Sequence, residues 1–145
     1  MTLKNILLTF SICLTTILTA YAQTSSTCGD AKAVTQIGRS NLAIVIHSND
    51  TETVWNAFRL ANFAASQKDT VKIFLLGKGV EAQNLTSENF DVRRQMESFV
   101  AAGGQILACG TCLKLRHTEG NALCPVSTMA ELYALIKQSQ KVITF

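Results

Sequence analysis

Three apolar runs, separated by segments with helical periodicity, limit the folds that this chain can adopt more than any other sequence feature does. The runs are Leu42–Ile46, which is continuous, Val71–Leu76, which Lys72 interrupts once, and Ile106–Ala108. Short apolar runs rich in Ile, Val and Leu are typical of strands buried on both faces of a sheet. Strands that alternate with helices form βαβ units with right-handed crossovers. The sequence therefore predicts one α/β domain built on a parallel sheet.

Capping residues locate the helices between these runs. Asn49, Asp50 and Thr51 offer N-caps for a first helix. A second helix ends at Gly103, because glycine adopts the left-handed conformation that a helix C-terminus needs. Thr128 and Glu131 have the spacing of a capping box for a third. The pattern predicts helices that end near residues 66, 102 and 138, a helical turn at 111–117, and short strands at 123–126 and 141–145.

The N-terminal residues read as a signal for export. Lys4 precedes an apolar stretch, Ile6–Leu18, and the small-x-small site Ala20-Tyr21-Ala22 follows it, the layout of a secretory signal peptide. The stretch is too short to span a bilayer, which takes roughly 20 residues. We expect cleavage after Ala22, a periplasmic or secreted protein, and no membrane span afterwards. The expected organisation is a signal peptide at 1–22, a polar tail at 23–40 and the domain at 41–145.

Composition and spacing argue against several classes of function. The formal net charge is only +3 and the basic residues do not cluster beyond Lys114 and Arg116, so no nucleic-acid footprint is expected. Gly77–Ala82 fits G-x-G-x-x-A, but it follows the second strand rather than the first, and we interpret it as a turn. A structural zinc site needs four ligands, and one C-x-x-C pair with isolated Cys124 and His117 does not suggest one. No metal and no cofactor are predicted.

Four cysteines remain once the signal peptide, with Cys13, is removed: Cys28, Cys109, Cys112 and Cys124. Disulfides persist in the compartments that exported proteins reach. Four cysteines allow three complete pairings, and the sequence does not choose among them.

Cys109 lies where a buried strand ends and a helical turn begins. Ligands of open α/β sheets bind at the carboxyl ends of the strands, and a helix N-terminus stabilises a thiolate. Cys112 follows within the same turn. The alternative is a structural disulfide between Cys109 and Cys112, or a pair of inert thiols. Candidates to contact a substrate in this turn are Gly110, Thr111, Lys114 and Arg116, the last two by their positive charge.

The strand and cysteine segment Ile106–Arg116 resembles the cysteine motif of the DsrE/DsrF-like family of sulfur-relay proteins. Ala57–Ala61 and Val71–Val80 agree with it, and the resemblance covers about residues 41–145. It implies a flavodoxin-like parallel sheet of about five strands with helices on both faces, and assembly into trimers or hexamers. It also implies a cysteine that carries sulfane sulfur as a persulfide. Cys109 matches the carrying position, and Cys112 matches a second cysteine found in some members.

In a flavodoxin-like strand order, the loops after strands one and three flank the ligand crevice. That order would place His47 and Asn49, which follow the first strand, beside Cys109 as substrate-binding candidates. A histidine at a strand end is also explained by a structural hydrogen bond.

The resulting hypothesis is an exported protein that handles sulfane sulfur, as a carrier or a sulfurtransferase. Cys109 would carry the persulfide, and Cys112 would resolve it or protect the thiol. The expected partners are sulfur donor and acceptor proteins and further copies of the chain, for which Trp55 and Phe63, lying off the core stripe of the first helix, suggest an interface. Two alternatives stay open: a ligand-binding module with structural cysteines, and a thiol–disulfide redox protein.

Overall fold

The computed structural model describes residues 38–145. The predicted signal peptide, most of the polar tail and Cys28 lie outside the described residues. Within 38–145, no helix combines the length and the apolar character needed to cross a bilayer.

Five parallel strands form one sheet, as the apolar runs predict. The spatial order is β4-β3-β2-β1-β5, and every neighbouring pair is parallel. The α/β fold class is confirmed. The strands are β1 Asn41–Ile46, β2 Thr70–Leu75, β3 Gln105–Cys109, β4 Val126–Ser127 and β5 Lys141–Thr144.

The helices begin where side chains cap their free N–H groups. Asp50 accepts from the Thr53 N–H, and the capping box of Thr128 and Glu131 is formed. The sequence pattern places the start of the second helix at about Asn89, whereas the helix begins at Val92, because Asp91 caps it. The run predicted to be a turn is a 3₁₀ segment. The helices are α1 Thr51–Ser66, α2 Val92–Ala101, α3 Gly110–Leu115 and α4 Met129–Gln138, and the 3₁₀ segment is Gly77–Asn84.

The order of the strands fixes which face each helix covers. From β1 to β3 the chain moves in one direction across the sheet, so right-handed crossovers place α1 and α2 on the same face, where they pack together. The return from β4 to β5 places α4 on the other face, against β1. Phe58 of α1 and Phe99 of α2 meet edge to face, with ring centroids 6.3 Å apart, and both side chains are fully buried.

The carboxyl edge of the sheet differs from the expected arrangement. β2 lies between β1 and β3, so the expectation that the loops after β1 and β3 are direct neighbours is wrong. The 3₁₀ segment follows β2 and occupies the space between them. It lies so close to the end of β1 that a Cβ at Gly79 would collide with the Ile46 carbonyl. The candidate site is therefore built from three loops rather than two.

Candidate active site

Cys109 ends β3 and occupies the N-cap position of α3, at the predicted junction of strand and helix. β2 and β4 flank β3, and Cys109 pairs in register with Ser127. The residue is only 3% exposed. The strand that positions this thiol thus also buries it.

Cys112 lies in the first turn of α3 and is partly exposed. Its Sγ accepts a hydrogen bond from the Gly77 N–H at 3.2 Å, which ties α3 to the start of the 3₁₀ segment. Cys109 and Cys112 are both free thiols. A backbone N–H that donates to a sulfur atom stabilises negative charge on that sulfur.

The environment of Cys112 sets its protonation. Burial raises its pKa, and the hydrogen bond and charge of the neighbouring Cys109 raise it further. The Gly77 N–H and the Arg116 guanidinium lower the pKa, but they do not cancel the rise. Cys112 therefore keeps its proton at pH values where an ordinary exposed thiol begins to ionise.

A polar network joins the three loops beside the thiols. Arg116 Nε donates to Glu81 Oε1 at 3.0 Å, and Arg116 Nη1 donates to the Cys112 carbonyl at 3.3 Å. Asn49 Nδ2 donates to Glu81 Oε2 at 2.8 Å. The loop after β1, the 3₁₀ segment and α3 thus converge on one carboxylate. The predicted residues Asn49 and Arg116 belong to this network.

The sequence analysis missed Glu81. It lies inside the Gly77–Ala82 run that was interpreted as a turn. The available signal was an acidic residue after the second strand, opposite in charge to Arg116 after the third.

Comparison with known proteins identifies the family of this chain. Its sequence matches the DsrE/DsrF-like family over residues 40–145. The chain belongs to the DsrE/DsrF-like family. It is also 30% identical over 100 residues to MJ0989, an uncharacterized protein of Methanocaldococcus jannaschii, a match that covers 65% of this chain and 88% of that protein.

A solved structure supports the fold of this DsrE/DsrF-like chain. The YchN protein of E. coli superposes with a TM-score of 0.65 at 20% sequence identity, over 74% of this chain and 100% of that one. At this identity the likeness supports the parallel α/β fold and nothing finer.

The other predicted residues that the structure describes in this DsrE/DsrF-like domain do not make side-chain hydrogen bonds to the Glu81 network. Lys114, with Gly110 and His117, lines a cleft of about 560 Å³. Gly110 and Lys114 are four residues apart and share one face of α3, and His117 follows the end of the helix. Cys112 and Arg116, the C-cap residue, are also four apart and lie on another face. Lys114 and Arg116 therefore do not act as one charged patch. The side chains of His47 and Thr111 are exposed, and the His47 N–H bonds the Phe145 carbonyl at 2.8 Å.

Cys124 has a different environment from the pair. It is 1% exposed, and burial raises the pKa of its thiol to about 12. Its backbone N–H donates to Asn121 Oδ1 at 2.9 Å, in the loop before β4. Such a thiol packs as a small apolar side chain and is a poor nucleophile at neutral pH.

Within residues 38–145 no three His, Cys, Asp or Glu side chains are grouped to hold a metal ion. The polar and sulfur chemistry of the described site rests on Cys109, Cys112, Arg116 and Glu81.

Proposed function

We propose that this protein handles sulfane sulfur, with Cys109 as the persulfide carrier and Cys112 as the resolving or protecting thiol. The observation that carries the proposal is the placement of two free thiols, Cys109 and Cys112, where β3 meets α3, in a chain of the DsrE/DsrF-like family. Membership of this family suggests a role in sulfur relay. Export to the periplasm or exterior, and sulfur donor and acceptor proteins, belong to the same proposal.

Loading is a thiol–persulfide exchange. The thiolate of Cys109 attacks the outer sulfur of a donor persulfide, R–S–SH, because the thiolate is the nucleophilic form. A bond forms between Cys109 Sγ and that sulfur, the donor S–S bond breaks, and the donor leaves as a thiolate that takes up a proton. Cys112 retains its own proton during this step, since its pKa is raised by burial and by Cys109.

Release can then follow either of two balanced routes. An acceptor thiolate attacks the outer sulfur and removes it, which restores the Cys109 thiol and makes the protein a carrier. Alternatively, the Cys112 thiolate attacks Cys109 Sγ, which expels hydrosulfide and leaves a Cys109–Cys112 disulfide. In the second route the sulfane sulfur gains the two electrons that the cysteines lose, and a dithiol reductant restores the pair.

Burial sets a condition on the loading step. Cys109 is 3% exposed, whereas Cys112 is partly exposed. A donor therefore reaches Cys109 only when the groups that cover this thiol move aside. A persulfide formed there is shielded from solvent once these groups return.

The proposal also includes assembly into a homo-oligomer, and the exposed apolar side chains indicate where. The Trp55 ring packs against side chains of its own chain. Its centroid lies 5.4 Å from that of the Phe90 ring, and Arg59 Cζ lies 4.4 Å from the Trp55 centroid. Met129 and Tyr133 of α4 are 60% and 66% exposed and lie on one face, four residues apart. We place the subunit contact on α4 rather than at Trp55.

The test is the mass of the mature protein after incubation with glutathione persulfide, with and without subsequent reductant. The parent and Cys124→Ser should gain the mass of one sulfur atom, which reductant removes. Cys109→Ser should gain none. An equal gain in Cys109→Ser would reject Cys109 as the carrier.

The two neighbouring free thiols also favour a second candidate, a thiol–disulfide redox protein. In that case the same measurement shows no added sulfur. The mass instead falls by two hydrogen atoms after treatment with a disulfide oxidant, and the loss requires both Cys109 and Cys112.

A further inference from the structure

One carboxylate, that of Glu81, connects all three loops around the thiols. Its two oxygens have different partners: Oε1 accepts from Arg116 Nε at 3.0 Å and Oε2 accepts from Asn49 Nδ2 at 2.8 Å. The Glu81 and Arg116 side chains are 35% and 26% exposed. A carboxylate with both oxygens engaged, in a partly buried ion pair, is held more firmly than one in an exposed pair.

We propose that Glu81 is a positioning residue for Cys112: it holds Arg116 and the 3₁₀ segment where both favour the Cys112 thiolate. Its place in the reaction rests on the proposed function, since the thiolate of Cys112 is needed only when the pair resolves the persulfide. Its effect on Cys112 itself does not depend on sulfur transfer.

The contact of Arg116 with α3 supports the first half of this role. A guanidinium has five N–H donors in a rigid fork. Here Nε is used by Glu81 while Nη1 donates to the Cys112 carbonyl at 3.3 Å. The ion pair thereby keeps a positive charge within one helical turn of the Cys112 sulfur. Without Glu81, the Arg116 side chain is free to turn into solvent.

The second half concerns the 3₁₀ segment, which contains both Glu81 and Gly77. The Gly77 N–H donates to Cys112 Sγ at 3.2 Å. The Glu81–Arg116 pair is a second tie between the same segment and α3, four residues further along each element. Loss of that tie therefore weakens the N–H to sulfur contact as well.

The direction of the effect follows from the groups that face the sulfur. Arg116 and the Gly77 N–H lower the pKa of Cys112, whereas burial and Cys109 raise it. Glu81 acts on the thiol through the two groups that favour the thiolate. Releasing them raises the pKa of Cys112 further.

The experiment measures alkylation of Cys112 against pH by peptide mass mapping, in a Cys109→Ser background so that the pair holds one thiol. Glu81→Gln should slow labelling of Cys112 about three- to tenfold near neutral pH, as expected for a pKa rise of about half to one unit. Arg116→Gln should slow it similarly. The double variant should be no slower than Arg116→Gln alone, because Glu81 acts through Arg116.

Glu119→Gln is the matched control, since it removes the same charge from an exposed residue just beyond α3 and should leave the rate unchanged. Asn49→Ala frees one Glu81 oxygen without a change of charge and should slow labelling less than Glu81→Gln. Thermal unfolding of every variant shows whether it is folded. If Glu81→Gln does not fold, Asn49→Ala is used in its place, and it should still slow labelling of Cys112.

Labelling of Glu81→Gln at the parental rate or faster would overturn the proposal, as would slowing in the double variant equal to the product of the two single effects. Failure of the proposed function looks different: Cys109 never carries sulfur in the otherwise unmodified protein, yet Glu81→Gln still slows Cys112. Under the proposed function, Glu81→Gln with Cys109 intact should load sulfur normally and release hydrosulfide more slowly.

Discussion

Cys124 shows how burial alone changes a cysteine. Burial raises the pKa of its thiol from the ordinary 9.0 to about 12. The folded state therefore keeps a proton that the unfolded chain releases above about pH 9, and folding stability falls as pH rises. The contribution is fully present below about pH 9 and is lost progressively up to about pH 12, at most about 4 kcal/mol for three units.

We predict that Cys124→Ala flattens this alkaline loss of stability. Denaturant unfolding under reducing conditions, at intervals from about pH 8 to pH 10.5, gives the free energy of unfolding of both proteins. The parent should lose stability more steeply with pH above about 9 than the variant, because only the parent has this thiol. The lysine and tyrosine contributions cancel in the difference. Equal slopes would show that Cys124 ionises equally in both states.

For single residues, the sequence predicted the place of a residue in the fold better than it predicted the side chains that the residue contacts. Cys109 lies at the end of a buried strand as predicted, because a continuous apolar run that stops at a polar turn can be recognised locally. The separation of Lys114 from Arg116 was not foreseen, although residues two apart on a helix do not share a face. The Glu81–Arg116 pair spans 35 residues, and no local pattern encodes such a contact.

Among the elements, the 3₁₀ segment depends most on a single residue. Gly79 packs against the Ile46 carbonyl at the end of β1, where any Cβ collides with backbone. We predict that Gly79→Ala destabilises the fold by at least about 2 kcal/mol, since backbone has less room to yield than a side chain. Gly38→Ala is the control, because a Cβ there meets no atom within 4 Å. Thermal unfolding measures both, and equal melting temperatures would contradict the tight contact.

The cap of α4 allows a second prediction at this scale. Thr128 Oγ1 accepts from the Glu131 N–H at 3.2 Å, and Glu131 Oε2 accepts from the Thr128 N–H at 2.8 Å. We expect Thr128→Ala to cost about 1 kcal/mol, while Thr128→Ser, which keeps a hydroxyl, should cost less. Chemical denaturation distinguishes them, and an equal loss in both would mean that the cap contributes little.

The elements themselves were largely predictable, and their arrangement was only partly so. Apolar runs and caps gave four helices and five strands within a few residues, since both signals are local. The order β4-β3-β2-β1-β5 depends on which strands pair across the whole chain, so the expected contact between the loops after β1 and β3 was wrong. The 3₁₀ segment was missed because its conformation is imposed by packing on β1.

For the whole molecule, the exposed apolar face of α4 bears on the proposed oligomer. Met129 and Tyr133 lie on this face, and both are more than half exposed. Exposed apolar patches on a folded domain mark contact surfaces. Phe63 of α1, which with Trp55 was the interface suggested by the sequence, is 53% exposed but lies on a separate helix, which makes it a matched control.

We predict that Tyr133→Glu lowers the oligomeric state, whereas Phe63→Glu does not. A carboxylate placed within a subunit interface loses its hydration without gaining a partner, so association weakens strongly. The same substitution on an exposed position outside the interface costs little. Light scattering with size-exclusion chromatography at micromolar concentration gives the mass of each protein. A monomeric parent would contradict the proposed oligomer. Dissociation of Phe63→Glu, together with an unchanged oligomeric state of Tyr133→Glu, would instead place the interface on α1. In the expected case, persulfide loading of monomeric Tyr133→Glu measures whether a single copy of the chain is sufficient for loading.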